Sequence, residues 1–357
     1  MAVAPTELGF VEKRAPWKLR SKFFPSKVGG FPAWLRLSNL PNRTDLLCQV
    51  CNHPLTFLLQ VYAPVFELEE AFHRTIYIFM CRNSSCNKTS SRINFSVFRN
   101  QLPRKNEFYS FEPPEFNEKS SMQPCADQFQ KMCAICGCCA ILNCHKCAQI
   151  DYCCEDHKTL DWEWNHIHNC PSEKKEIPEK KKLINHFLLS EFELVTETEE
   201  SLPDVPEKSD EEKMKDYQKF LQSSSSKELQ DMPVGDLGYV EEKKDKAFNK
   251  FQKRVKLEPE QVLRYQKGGV PLWVSSENVP SENDIPNCSC GAKRHFEFQV
   301  MPQLLNYLSL DSVQESIDWG TLIIYTCSAS CSAGVDTYVK EFLWKQDFSD
   351  VSLTMQQ

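Results

Sequence analysis

Two stretches far apart in the chain carry one hydrophobic pattern. "TIYIFMC" (Thr75 to Cys81) and "TLIIYTC" (Thr321 to Cys327) are short apolar runs rich in β-branched and aromatic residues, each ending in a cysteine, and they predict buried strands. A second cysteine follows each run, Cys86 after four intervening residues and Cys331 after three. The likeness continues upstream, where "SKVGGFPAWL" is echoed by "QKGGVPLWVS". Gly29, Gly30, Pro32 and Trp34 reappear as Gly268, Gly269, Pro271 and Trp273 at an offset of 239 residues, and Asn39, Pro41, Cys51, Gln60 and Val61 match Asn278, Pro280, Cys290, Gln299 and Val300 in the same register. Nine matches without a gap are hard to obtain by chance. Downstream, "VFRNQ" from Val97 aligns with "FLWKQ" from Phe342. Each half therefore reads as strand, Cys pair, strand, strand ending in Cys, further Cys, final strand.

The architecture this predicts is mainly β, a pseudo-symmetric duplicated module with copies over residues 1–115 and 257–357 packed on each other. Gly29 and Gly30 are expected in a turn with positive φ, and Trp34 in the core. Between the copies the character changes. Residues 133–170 are dense in Cys and His, and 171–256 read as an acidic, partly disordered linker. Residues 191–212 hold ten acidic residues and a single lysine, Lys208. Within the linker "FELVTE" from Phe192 alternates as a short strand does, and "EEKKDKAFNKFQKRV" places Phe248 and Phe251 three apart, as on an amphipathic helix. "EPEQVLRY" is read as a second helix leading into the later copy. The lysine run in "EKKKL" from Glu179 is read as linker solvation before nuclear import.

Composition narrows the setting. No apolar run approaches the roughly 20 residues of a membrane helix, and "MAVAPTELGFVEKR" lacks the apolar core of a secretory signal, so the expected location is cytoplasm and nucleus. In a reducing compartment the 18 cysteines point to metal before disulfides. A net charge of -7 argues against general nucleic-acid binding, which needs a basic footprint. It suits basic partners.

The densest chemistry is "CAICGCCAILNCHKCAQIDYCCEDHKTLDWEWNHIHNC". Its chelating positions fall in four pairs, Cys133 with Cys136, Cys144 with Cys147, Cys153 with His157, and His166 with Cys170. Two or three residues between donors is the spacing of a tetrahedral zinc site, so eight donors predict two sites. With all eight positions filled no coordination site is left for water, and the metals are expected to be structural. Cys138, Cys139, Cys154, His145 and His168 are surplus, with Cys154 the competitor of Cys153. The stretch resembles the MYND zinc finger, a small α+β unit whose pairs interleave. That resemblance implies Cys133, Cys136, Cys153 and His157 on one zinc and Cys144, Cys147, His166 and Cys170 on the other. In the repeats, Cys48, Cys51, Cys81 and Cys86 form a zinc-ribbon-like set, and Cys288, Cys290, Cys327 and Cys331 its tighter CxC counterpart; the competing reading is buried thiols packed as small hydrophobes. His53 could substitute as a ligand. No phosphate loop, HExxH or GxSxG motif accompanies these clusters, so no enzyme is expected.

Taken together, "ELGF", "SKVGGFPAWL", "LLQVYAP", "VFRNQLPRKN" and "CSCGAKRHFEFQVMPQLLNYL" resemble the programmed cell death protein 2 family across nearly the whole chain. The resemblance implies a dedicated chaperone for a newly made small-subunit ribosomal protein, universal small-subunit protein five, and a part in cell proliferation and cell death. It also implies an alternative, a nuclear MYND adaptor that grips transcriptional corepressors, with Trp162 and Trp164 offering an aromatic groove. Direct DNA binding and lysine methylation fit the sequence less well. If the duplicated module cradles the client, Tyr62, Phe98 and Trp344 are candidates to line it, although each reads first as a core aromatic.

Overall fold

The computed structural model describes residues 4–87, 92–118, 124–172, 185–200, 245–308, 310, 317–332 and 337–348. The lysine run from Glu179, the acidic residues from 201 onward, the serines from Ser223 and the start of "EEKKDK" lie outside them. Strand β1 (Glu7–Glu12) precedes the first copy, which supplies β2 (Lys27–Val28), β3 (Thr56–Tyr62), β4 (His73–Met80) and β5 (Phe95–Leu102). The Cys-rich segment carries a ribbon of β6 (Leu142–Asn143) and β7 (Asp151–Tyr152), and β8 (Phe192–Thr198) follows. The second copy is β9 (Leu263–Tyr265), β10 (Arg294–Val300), β11 (Thr321–Cys327) and a last segment divided into β12 (Val339–Lys340) and β13 (Phe342–Gln346).

The long sheet is antiparallel and runs β12-β5-β4-β3-β2-β8-β1-β9-β10-β11-β13. Its two end strands are consecutive in the chain with only Glu341 between them, and the Glu341 backbone N–H still bonds to the Val97 carbonyl at 2.9 Å. One final segment thus touches both edges, and the sheet closes on itself. Closure removes the open edges that each four-strand copy would otherwise expose.

The two copies pack on each other through a shared core, and they do so as parts of a single sheet. The copies share one sheet, joined on one side by the last segment and on the other by β8 and β1. Strand β8 comes from the segment read as linker, and β1 lies beside β9 of the second copy. The helix expected over "EPEQVLRY" is corrected, because Leu263–Tyr265 is strand and not helix. Pairing on both sides, with β1 and β10, outweighs local helix preference there. The approach to β1 is close: a side chain at Gly9 would bring its Cβ 2.9 Å from that of Leu263.

The duplication is written into the geometry. A β-bulge interrupts β3 between Phe57 and Leu59, and β10 between Phe296 and Phe298, at the same offset of 239. Gln60 grips the Gly-Gly-Pro-Trp loop by accepting from Ala33 N at 2.8 Å and donating to Ala33 O at 3.1 Å. Gln299 does the same to Leu272, at 2.6 and 2.9 Å. Asn39 and Asn278 both adopt φ 52°. In the final strands the sequence alignment is one residue out. Phe98 stands opposite Tyr77 and Trp344 opposite Ile323, so Phe98 corresponds to Trp344 and the offset is 246. With a side-chain period of two, a one-residue slip would put these aromatics on opposite faces.

Alternation sorts the strands into an inner and an outer face. Ile76, Ile78 and Met80 of β4 join Phe298, Val300, Leu322 and Ile324 in a core that spans both copies. Outside, Trp34, Phe57, Tyr77 and Phe79 cluster on the first copy, and Phe296, Ile323, Tyr325 and Phe342 on the second. The helix Lys246–Val255, capped by Asp245, buries Phe251 beside Leu272 and Val274 and Phe248 against Phe348.

Charged groups cross between the copies inside this framework. Arg74 of β4 and Glu297 of β10 are both fully buried and meet at 2.7 Å, and Tyr265 and Thr326 also bond to the carboxylate. Glu341, also buried, accepts from Arg99 of β5 at 2.7 Å and from Arg294 of β10 at 2.8 Å. Burial alone would raise the Glu297 carboxyl, but the Arg74 charge and hydrogen bonds outweigh it and bring it down to about 2.

Glu297→Leu alone strands the Arg74 guanidinium and is expected to cost about 3–5 kcal/mol of unfolding free energy, most of it recovered by Arg74→Met with Glu297→Leu. Urea unfolding of the three proteins checks this, and a double variant no better than the single one would refute it. Because the folded carboxyl is depressed, its contribution is present above the unfolded value of roughly 4.3 and is lost as pH falls toward 2. Across that window the wild type should lose stability relative to the double variant, which has no Glu297 carboxylate to protonate.

Candidate metal centres

Among the described residues, four loops are built alike. In each, the first cysteine accepts, through its carbonyl, the N–H of the residue just after the second cysteine: Asn52 to Cys48, Gly137 to Cys133, Ala148 to Cys144 and Gly291 to Cys288, all at 2.8 or 2.9 Å. Those four residues have φ between 54° and 88°. The first cysteine's own N–H closes the loop on His53, Cys138, Ile150 or Ala292 at 2.8 or 2.9 Å. The CxC loop makes the same bonds as the CxxC loops with one residue fewer. Such turns place two thiols on one side of the backbone, and N–H groups point at the sulfurs, as from Val50 to Cys48 Sγ and from Asn83 to Cys81 Sγ, both at 3.4 Å.

Each loop meets a second pair of donors. The groups are Cys48, Cys51, Cys81 and Cys86; Cys133, Cys136, Cys153 and His157; Cys144, Cys147, His166 and Cys170; and Cys288, Cys290, Cys327 and Cys331. In every group the donor atoms lie within 4.8 Å of one another. Two thiolates about 2.3 Å from a tetrahedral zinc stand about 3.8 Å apart. Here Cys51 and Cys81 are 3.6 Å apart, Cys136 and Cys153 3.7 Å, Cys288 and Cys331 3.5 Å, and Cys290 and Cys327 3.6 Å. His157 Nδ1 lies 3.5 Å from Cys133 Sγ and 3.1 Å from Cys153 Sγ, and His166 Nε2 lies 3.3 Å from Cys147 Sγ. The groups are positioned to bind metal ions, and their donor chemistry is consistent with zinc. Burial would raise the Cys144 thiol, but the backbone N–H groups of Cys147 and Lys146, with His166, bring it down to about 6. Cys290, fully exposed, is lowered to about 7, first by the Ala292 N–H.

The first and fourth groups occupy equivalent places, at the ends of the β3–β4 and β10–β11 pairs. The middle two interleave along the chain. The turn before β6 faces donors at the start of the helix Glu155–Asp161, and the turn between β6 and β7 faces donors beyond it. A wider helical turn over Trp162–His166 carries His166 round toward the second group, a distortion frequent at functional sites. Of the surplus residues, Cys138 is buried and donates to the Cys136 carbonyl, and Cys139 is half-buried. Cys154 Sγ is 3.7 Å from Cys153 Sγ. The His145 ring lies tilted beside that of Trp162, with centroids 6.0 Å apart, and His53 bonds to Asp156 of the insertion at 3.0 Å.

The Cys-rich segment does not stand apart from the sheet. It seals the outer face of the first copy, where Trp34 is 2% exposed and donates from Nε1 to the Gly137 carbonyl at 2.7 Å. Asn185 bonds to the Ile135 carbonyl, and Arg82 to the His186 and Phe187 carbonyls. Sequence reasoning missed this docking, because contacts between residues 103 apart leave no local pattern. Of the aromatic candidates, Phe98 is buried; Tyr62 is half-buried, stacked on Phe24 and bonded to His73. Trp344 is half-buried on the second copy. Trp162 packs against the core and Trp164 is 40% exposed. A cleft of about 730 Å³ beside the first copy is walled by Phe24, Phe72, Phe108, Tyr109, Phe111 and Phe129.

Residues 5–116 match the family domain described as "Programmed cell death protein 2, N-terminal domain", and residues 245–347 the one described as "Programmed cell death protein 2, C-terminal putative domain". The chain is 46% identical to programmed cell death protein 2 of Rattus norvegicus, over 98% of this chain and 99% of the relative. It is 26% identical to the programmed cell death protein 2-like protein of Homo sapiens, over 86% and 85%. It is 22% identical to "Probable 20S rRNA accumulation protein 4" of Schizosaccharomyces pombe, over 92% and 93%. No solved structure matches it.

Native mass spectrometry should find four metal ions per chain, three after His157→Ala or Cys290→Ser, and four still after Cys154→Ala. Four ions retained by the His157 variant would remove that residue from the ligand set.

Proposed function

The chain belongs to the programmed cell death protein 2 family, and on that premise we propose that it is a zinc-stabilised, non-enzymatic chaperone. Its client on this reading is a newly made small-subunit ribosomal protein, universal small-subunit protein five. The observation that carries the proposal is the fission yeast relative, aligned over 92% of this chain and named for accumulation of 20S rRNA. Net charge supports it. At -7, the surface attracts the Lys/Arg-rich segments of a ribosomal protein before they meet nucleic acid, and such complementarity speeds encounter.

Zinc is the metal the donor sets favour, with the two interleaved groups of residues 133–170 forming a MYND finger and the first and fourth groups forming ribbon-like staples at the hairpin ends. All four sets are filled by protein donors, which leaves them a structural part. Work in both cytoplasm and nucleus suits a factor that meets its client at synthesis and delivers it for subunit assembly. A second reading, a nuclear adaptor that binds corepressor peptides through the finger, is favoured by one feature, the exposure of Trp164 on the finger's helix.

Co-expression with the client tests the first reading. A one-to-one complex should survive size-exclusion chromatography at low salt, form more slowly as sodium chloride rises, and keep the client soluble. No complex with metal-loaded protein would end the chaperone reading. Trp164→Ala should leave client binding within about twofold; a loss of about tenfold or more, equivalent to about 1.4 kcal/mol, would instead place the client on the finger.

A further inference from the structure

The duplication sets up a comparison that the two outer faces answer differently. On the first copy, Phe31 and Trp34 receive the Gly137 turn. The indole N–H of Trp34 donates to the Gly137 carbonyl at 2.7 Å, Gly137 has φ 67°, and a Cβ there would lie 2.7 Å from the Phe31 ring. Only glycine fits that turn without strain. At the offset of 239, Phe31 and Trp34 become Val270 and Trp273, and at 246 the buried Phe98 becomes Trp344. On the second copy nothing among the described residues takes the part of the Gly137 turn. Val270 is 78% exposed, Trp273 and Trp344 are half-buried, and the Trp273 indole N–H has no hydrogen-bond partner among the described residues. Trp344 donates to the Asn278 carbonyl at 2.9 Å, and Arg92 lies over the Phe342 and Trp344 rings.

We infer that the face formed by Val270, Trp273 and Trp344 is a docking surface for a glycine-centred turn of the client, seated as the Gly137 turn is seated on the first copy. The turn's carbonyl accepts from Trp273 Nε1, and its glycine takes the left-handed backbone that brings the chain down onto the indole. Val270 is smaller than Phe31, which leaves room for an apolar side chain beside the glycine. The rim selects the flanking residues by charge. The loop over 276–284 carries Glu277, Glu282 and Asp284 and no basic residue. Lys293 pairs with Glu282, Asp284 caps Ser281 with Arg92 nearby, and the Glu277 carboxylate is exposed with no partner among the described residues. Basic side chains on either side of the turn would meet Glu277 and Asp284. The identity of the partner rests on the chaperone reading; the surface and its chemistry rest on the internal comparison.

The test titrates purified universal small-subunit protein five into the metal-loaded chain, wild type and variants, by isothermal calorimetry. Val270→Asp lies on an exposed side chain and Trp273→Phe keeps the ring, and both should retain four metals and the wild-type melting temperature. Each is expected to weaken binding by about tenfold or more, the size of an interface hot spot. In protein labelled with 15N-tryptophan, the Trp273 indole resonance, assigned by its absence from Trp273→Phe, should shift on binding. Alanine scanning of the client's glycines should find one whose replacement costs a similar factor. Wild-type binding with both variants within twofold and an unmoved Trp273 resonance would overturn the surface and leave the chaperone reading standing. Dependence on Val270 and Trp273 with no sensitive client glycine would overturn the glycine turn. Failure of the wild-type protein to bind would overturn the chaperone reading and, with it, this partner.

Discussion

Two buried carboxylates hold the halves of this protein to each other. Glu297 of the second copy meets Arg74 of the first in the interior, and Glu341 accepts from Arg99 of the first copy and Arg294 of the second at the point where the last segment changes partners. Charges so deep in a protein are tolerated only when paired, and removing one partner is far more costly than removing both. The pairs therefore fix which surface of one copy faces the other, in a sheet where alternation forbids a slip of one residue but does not by itself forbid a slip of two. Closure depends on the same place. At Glu341 the chain leaves β5 and joins β11, so one side chain anchors the seam and both of its neighbours.

Four donor groups positioned to bind metal ions lie outside this framework among the described residues. Two sit at equivalent hairpin ends, where loops entering β3 and β10 meet the exits of β4 and β11. The fourth lies close to the seam: Cys327 N–H reaches the Glu341 carboxylate at 3.3 Å, and Arg99 approaches Cys331 Sγ at 3.7 Å. The middle two lie in the segment that covers the first copy's aromatic face. Chemistry and packing are thus coupled, since the Gly137 turn that receives the Trp34 indole belongs to one of the metal-binding loops.

That coverage breaks the symmetry of the duplication. A pair of identical modules would present two identical faces, yet here one is covered by the Cys-rich segment and the other has no counterpart to that cover among the described residues. For a protein proposed to hold a basic client, the asymmetry separates the jobs, with one copy sealed by the Cys-rich segment and the other carrying indoles beside an acidic loop.

The repeat was legible in the sequence because a buried strand, a left-handed turn and a thiol pair each demand particular residue types at particular spacings. Gly29 with Gly268, Asn39 with Asn278 and Gln60 with Gln299 kept one register through the whole first part of the module. The eight donors of residues 133–170 and the eight of the repeats could be singled out for the same reason, since chelation by adjacent residues is a local property. Where function depended on partners distant in sequence, the residues were silent. Nothing local in "EPEQVLRY" announces a strand, for that choice was made by β1 and β10. Nothing in "FELVTE" says that it seals a barrel, and the match of Gln101 with Gln346 misled the alignment by one residue, which only the ladder to β4 and β11 could correct. Spacing along the chain decided the donor groups and the duplication; the closure of the sheet, the docking of the Cys-rich segment and the difference between the two faces arose from long-range pairing, which has no period to read.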